Sequence, residues 1–299
     1  MEFSPISAAE PDALSKAAAM VEEFGIGVIE GFFSDDECQA MFTRGRELIS
    51  DFDPSKCPVF TTDDSQKHQA KGDYFITSGD KLRFFLEEAA VEEATSSLTV
   101  EKRKSVNKIG HALAELDSVF EKLTFNERFE KLAKALGFQN PLVSQSMLIY
   151  KQPGVGGEVT PHQDSTFLYT DPPSVVGFWA PLCDATLENG CLWAALGSHK
   201  AGVYKRFVRN PDYPAGPQLV FTNDQPLPCK PEDYTPLPVK QGSLVIIHGA
   251  VIHKSEKNTS DKSREAYTVH IIEGCAAYAP ENWLQRPDTP FRAMKAMRS

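Results

Sequence analysis

Apolar positions three and four apart mark the first element. In residues 8–24 (AAEPDALSKAAAMVEEF), Leu14, Ala17, Ala18, Val21 and Phe24 fall on one helical face, and Gly25 stops the run. A short apolar strand, Ile26 to Ile29, follows. Ser34 with Glu37 three residues on is a capping-box signature that opens a second helix through about Ile49. Residues 50–71 are polar, with two prolines and paired Asp, and predict a long loop. Asp73 to Phe85 is aromatic-rich and predicts two strands around a turn at Ser78-Gly79-Asp80. Residues 106–136 are helical by period and close at Gly137 as a C-terminal cap.

The texture changes after Pro141. Short β-type runs recur at 142–151, 175–182, 190–195, 243–248 and 266–272, separated by Gly, Pro, Asn and Asp clusters, which argues for an antiparallel sandwich or barrel. A proline-rich stretch, 210–238, reads as an insertion loop. The expected organisation is mainly β with flanking helices. A helix-rich part, 1–140, precedes a β core, 141–286, within one domain, 1–299.

Composition narrows the class. With 299 residues, 41% hydrophobic and 24% charged, the chain can bury a substantial core and is not disordered as a whole. The net charge of -10 repels a phosphate backbone, and the densest basic run is only the EKRK of residues 101–104, so neither nucleic acid nor an anionic membrane is an expected partner. Six cysteines without a CxxC pair suggest a reduced compartment and no zinc ribbon. No basic-then-apolar leader, no apolar run of ~18 residues and no SKL-type end is seen, so a cytoplasmic monomer acting on a small molecule is expected.

The chemistry concentrates in GGEVTPHQDSTFLY, residues 156–169. His162 and Asp164 are two apart, so in extended chain both side chains leave one face and can reach one cation. A second imidazole downstream would complete the two-histidine, one-carboxylate set of non-haem Fe(II) oxygenases, which leaves positions open. His248, His253 and His270 compete for that place. His253 is preferred for its HKS context and for Arg264 eleven residues later, a guanidinium suited to a carboxylate such as the distal one of 2-oxoglutarate.

Longer motifs carry a resemblance. TPHQD, DATLENG (184–190), GSH (197–199), HGAVIHKSEKN (248–258) and SREAYTVHI (263–271), together with SGDKLRFF, KSVNKIGHAL, YKQP and PENWLQ, resemble the phytanoyl-CoA dioxygenase family over roughly residues 22–286. That resemblance implies a double-stranded β-helix, a cupin-like jelly-roll with an N-terminal helical buttress. It implies Fe(II) held by His162, Asp164 and His253, and 2-oxoglutarate held by Arg264 and Ser255, with Lys104, Met147 and Trp179 lining the pocket. Dioxygen (O2) would be the oxidant, and an unidentified small molecule or acyl-CoA the hydroxylated substrate. Leu196 stands where the family commonly has proline before GSH, so the turn carrying His199 is expected to differ; His199 either hydrogen-bonds near the site or caps a turn, and the structural role is preferred. Two other readings use the same residues: a cupin-like zinc hydrolase, and a non-catalytic binding protein with a vestigial site.

Overall fold

The computed structural model describes residues 2–63, 66–69, 72–92, 94, 95, 97–295 and 297. The chain opens with a two-residue strand, β1 (Ile6–Ser7), and the helix α1 (Ala13–Phe24). The helix starts after Pro11, not at residue 8, because proline disfavours helical backbone in the residue before it. Gly25 takes φ 78° and its N–H donates to the Val21 carbonyl, turning the chain into β2 (Ile26–Glu30). The capping box is present at α2 (Asp35–Asp51): the Ser34 hydroxyl accepts from Glu37 N–H and the Glu37 carboxylate accepts from Ser34 N–H. The same carboxylate receives the Arg128 guanidinium, which ties the start of α2 to a helix ninety residues away in sequence.

Between these helices and the β core the expectations need correction. Residues 50–71 are more ordered than a loop: α2 runs to Asp51, Pro54–Lys56 make a 3-10 turn, and β3 (Val59–Phe60) pairs in parallel with β4 (Leu82–Glu87). Residues 64, 65, 70 and 71 of that stretch lie outside the described residues. Asp73–Ile76 is one turn of helix, α3, so only the second half of the aromatic run is strand. Residues 106–136 are not all helix either. Val106–His111 is strand β5, paired on one edge with β4 and on the other with β6 (Pro141–Lys151). A six-residue run fits either period, and two hydrogen-bonded neighbours decide it. Helix follows as α4 (Leu113–Leu116), α5 (Ser118–Thr124) and α6 (Glu127–Ala135). Gly137, at φ 89°, ends α6 in a Schellman pattern, with Phe138 N–H on Ala133 O and Gly137 N–H on Lys134 O.

After β6 the strands are β7 (Val159–His162), β8 (Thr170–Asp171), β9 (Val176–Pro181), β10 (Leu192–Ala194), the hairpin β11 (Phe207–Arg209) and β12 (Leu219–Phe221), β13 (Thr235–Leu237), β14 (Leu244–His248), β15 (His253–Ser255), β16 (Arg264–Glu273), β17 (Ala277–Tyr278) and β18 (Arg292–Ala293). The β-type runs predict β6, β9, β10, β14 and β16; the other short strands lie outside those runs. Ten strands form one sheet in the order β1-β2-β14-β9-β16-β6-β5-β4-β3 with β18 on β6, and four form a second, β13-β10-β15-β7. The segment 210–238 is therefore not wholly an insertion, since β13 pairs with β10 across Leu237 and Leu192. The helix-rich part is not separate from the β core, because β2 and β5 lie in the larger sheet beside β14 and β6.

The result is the jelly-roll, with apolar side chains of both sheets, among them Trp179, Leu192, Leu237, Val245 and Ile247, filling the space between them. On the larger sheet's other face, residues such as Phe178, Ile246, Tyr267 and Val269 pack against α1, α2 and α4–α6. Strand β16 shows the division most plainly. Tyr267, Val269 and Ile271 face the helices, with the Tyr267 hydroxyl 2.7 Å from Thr124 Oγ1, while Arg264, Thr268 and His270 face the interior between the sheets. Among the described residues no helix is long and apolar enough to cross a membrane.

Packing of this kind sets a stability test. Ile246, fully buried, should cost about 2–5 kcal/mol when cut to alanine. Leu187, 50% exposed, should cost under about 0.5 kcal/mol. Urea denaturation of the two variants measures the contrast, and similar midpoints would contradict the packed interface between sheet and helices.

Candidate metal centre

His162 ends β7 and His253 begins β15, and the two residues are directly opposite each other in the antiparallel pairing, with ring centroids 4.3 Å apart. Strand pairing thus joins two imidazoles ninety-one residues apart in sequence. Gln163 keeps extended backbone, φ -120° and ψ 135°, so Asp164 at the start of a 3-10 turn leaves on the same side as His162. Gln163 itself points the other way and is fully buried. Its amide donates to Gly202 O (2.8 Å) and Ala250 O (2.6 Å) and accepts from Tyr204 N–H (2.9 Å), which pins the turn. Nothing in the sequence singled out this glutamine; its signal lies only in the packing.

The ligand atoms offered by His162, Asp164 and His253 all lie within 4.8 Å of one another. Nδ1 of His162 is 2.9 Å from Thr160 O and Nδ1 of His253 is 3.2 Å from Val251 O. A carbonyl can only accept, so both protons sit on Nδ1 and both Nε2 lone pairs are free for a cation. These Nε2 atoms stand 3.8 and 3.7 Å from Asp164 Oδ1. Burial, and then the neighbouring His253, push the His162 imidazole down to about 4. Burial works against ionisation of Asp164, yet His270, His253 and His162 together hold its carboxyl well below the usual carboxylate range. The competitor His270 does not join the trio: its Nε2 faces the other carboxylate oxygen, Oδ2, at 3.3 Å. It stands behind the acid as an orienting group. His248 is also elsewhere, its ring beside that of His199 (4.9 Å), whose Nε2 lies 3.0 Å from Glu22 O at the end of α1. The GSH motif here is a structural tie.

The trio opens on a cavity lined by Met147, Trp179, Ser255 and Arg264, so seven of the eight residues proposed from sequence meet there. Lys104 is the exception. It ends the 3-10 turn of residues 102–104, before β5, and does not line the cavity; Lys108, four residues later on β5, does. The register of a strand decides which lysine turns inward, and that segment was expected to be helical. Lys108 lies 3.4 Å from the Phe60 ring centroid, and burial pushes its ammonium down to about 7 against the pull of Glu87.

Arg264 is 2% exposed, its guanidinium 5.4 Å from the Trp179 ring centroid, and neither Nε nor Nη1 has a hydrogen-bond partner among the described residues. Burial pushes it down to about 10, which still leaves a cation at neutral pH. A buried, unpaired guanidinium is costly, and an anion that enters the cavity relieves that cost. Two imidazole nitrogens and one carboxylate suit a non-haem Fe(II) ion with open positions. Arg264 suits a carboxylate beyond it. The residues fit both groups.

Comparison with known proteins agrees with this architecture. The sequence model of the phytanoyl-CoA dioxygenase family (PhyH) matches residues 21–266. Phytanoyl-CoA dioxygenase domain-containing protein 1 of Mus musculus is 48% identical over 277 residues, which cover 90% of this chain and 94% of the relative. Phytanoyl-CoA dioxygenase of Arabidopsis thaliana is 46% identical over 269 residues, 89% of this chain and 91% of the relative. Among solved structures, EctD from S. alaskensis, with 2-oxoglutarate and 5-hydroxyectoine, superposes with TM-score 0.63 at 19% identity, covering 100% of this chain and 93% of its own. The epimerase SnoN in complex with Fe3+, alpha ketoglutarate and nogalamycin RO gives TM-score 0.62 at 16% identity, covering 97% of both chains. At such identities the solved structures establish the shared fold.

The metal trio and its support separate in a titration. With Mn(II) as a spectroscopic stand-in, the wild-type protein should show one tight site; Asp164→Ala should weaken it by more than about 100-fold and His270→Phe by roughly 10-fold, the range for a group that orients a ligand. Equal affinities in all three proteins would refute the assignment.

Proposed function

Because the chain belongs to the phytanoyl-CoA dioxygenase family, we propose that it is an Fe(II)- and 2-oxoglutarate-dependent dioxygenase that hydroxylates a small-molecule substrate. The observation that carries this reading is the buried Arg264 guanidinium, whose Nε and Nη1 have no hydrogen-bond partner among the described residues, in the cavity onto which His162, Asp164 and His253 open. A zinc hydrolase leaves that buried cation without a purpose, whereas a dicarboxylate cosubstrate employs it. Bound iron with 2-oxoglutarate would supply oxidative chemistry: decarboxylation of the cosubstrate to succinate and carbon dioxide, coupled to insertion of oxygen from O2 into a C–H bond.

The chain's own groups prepare the site. His162 and His253 present Nε2 because backbone carbonyls hold their Nδ1 protons. Asp164 presents one oxygen while His270 faces the other. Arg264 takes the distal carboxylate of 2-oxoglutarate, with Trp179 beneath its guanidinium and Ser255 and Met147 in the walls. Lys108, in the role first expected of Lys104, places a second basic side chain on the inner face of the larger sheet, one that a bound anion would hold protonated. Lys151 does not compete for the cosubstrate: its Nζ donates to the carbonyls of Gly157, Ser255 and Glu256, tying β15 to the segment before β7. A chain with net charge -10 thereby keeps cations where a dianion would bind, and local sign governs recognition.

Two measurements test the proposal. Wild-type protein with Fe(II), O2 and 2-oxoglutarate should form succinate, and Asp164→Ala should abolish it; succinate formation that is indifferent to both iron and Asp164 would sink the reading. Arg264→Leu should raise the half-saturating 2-oxoglutarate concentration by roughly 100-fold, the ~3 kcal/mol of two charge-assisted hydrogen bonds. An unchanged value would remove Arg264 from the cosubstrate pocket.

A further inference from the structure

Beyond the metal trio the cavity has a second pole. The cavity is lined by His270 on β16, by Gln145 opposite it on β6, and by His111 at the end of β5, the next strand beyond β6. His111 therefore lies two strand spacings, about 10 Å, from His270. It is 1% exposed and ringed by aromatics: Phe75 at 5.7 Å, Phe85 at 5.4 Å and Trp283 at 5.0 Å between centroids, with Phe75 and Trp283 stacked on each other at 4.1 Å. Phe60, Phe75, His111 and Trp283 all line the cavity.

The hydrogen bonds settle which nitrogen of His111 carries its proton. Ser78 is fully buried, and its single hydroxyl hydrogen is committed to the Phe75 carbonyl, 2.5 Å from Oγ. Two bare oxygens at that separation would repel, so the hydrogen lies between them. Toward His111 Nδ1, 2.8 Å away, Ser78 Oγ can then only accept, which puts the imidazole proton on Nδ1 and a lone pair on Nε2. Burial, with Lys108 and Arg286 nearby, holds the ring neutral. No hydrogen-bond donor to Nε2 is found among the described residues.

We propose that His111 is a specificity-determining residue of the cavity: its Nε2 accepts a hydrogen bond from a hydroxyl or N–H of the primary substrate, whose compact apolar part packs against Phe60, Phe75 and Trp283. The term substrate rests on the dioxygenase reading; the binding chemistry does not. A ligand that bears a donor satisfies Nε2, and one that bears only an acceptor in the same place leaves two lone pairs facing each other in an apolar surround. The spacing to His270 puts the donor several bonds from the carbon nearest the metal trio.

Two measurements on the full-length chain decide the matter. In the protein labelled with 15N-histidine, long-range nitrogen–proton correlation should show His111 as the Nδ1-protonated neutral tautomer; an Nε2-protonated or doubly protonated ring overturns the proposal. Benzyl alcohol should bind roughly five- to tenfold more tightly than benzyl methyl ether, the worth of one hydrogen bond between neutral groups. That preference should vanish in His111→Phe and shrink in Ser78→Ala, which keeps the ring but releases its tautomer. Equal binding of the two probes, binding of neither, or a preference that survives His111→Phe each overturns it. Neither measurement needs iron or 2-oxoglutarate, so their failure leaves succinate formation to stand or fall on its own.

Discussion

Strand β16 is covered on both faces, by helices on one side and by the smaller sheet on the other, and this constraint organises the protein. A doubly covered strand has no solvent to satisfy its polar side chains, so each one on it needs a partner within the fold or a ligand. On the helix side the demand is met by Tyr267, whose hydroxyl meets Thr124. On the interior side His270 Nε2 faces the Asp164 carboxylate, and neither Nε nor Nη1 of Arg264 has a hydrogen-bond partner among the described residues, with the Trp179 ring beside the guanidinium. The strand thus offers both a carboxylate's support and an anion's receptor on one face, six residues apart along the chain.

Preorganisation of the metal trio follows from backbone more than from side chains. The pairing of β7 with β15 sets the distance between the two imidazoles, two carbonyls set their tautomers, and Gln163 holds the turn that aims Asp164. Each of these is a main-chain feature or a bond to one, so the geometry exists before any ion arrives. The same logic recurs at His111, where a serine hydroxyl committed to a carbonyl leaves the ring only one tautomer. Rigid strands place these groups more closely than loops could.

Much of the architecture was legible along the chain. The capping box at Ser34, the C-terminal glycine at 137 and the β runs after Pro141 rest on local rules, and each lies within a residue or a few of its expected place. The HxD spacing already put His162 and Asp164 on one side of extended backbone. Errors arose where local preference is weak. VNKIGH reads as helix or strand alike, and the period of residues 106–136 assigns it to helix; Lys104, implied by the resemblance, lies in the turn before this strand, and it is Lys108 on the strand that lines the cavity. The segment around Thr235–Leu237, rich in proline, concealed an edge strand of the smaller sheet.

What the sequence by itself determined is the donor chemistry: two imidazoles, a carboxylate and a guanidinium whose identities are independent of conformation, together with the periodicities that make a β core. The sequence also preferred His253 as the third member of the trio, which the structure brings together with the other two; only the tertiary structure decided which lysine faces the cavity, that Nε and Nη1 of Arg264 find no partner among the described residues and which nitrogen of His111 is bare. Those outcomes depend on strand register and on where each hydroxyl hydrogen is committed. A shift of one residue turns a side chain to the opposite face of a sheet, and no local pattern records that choice.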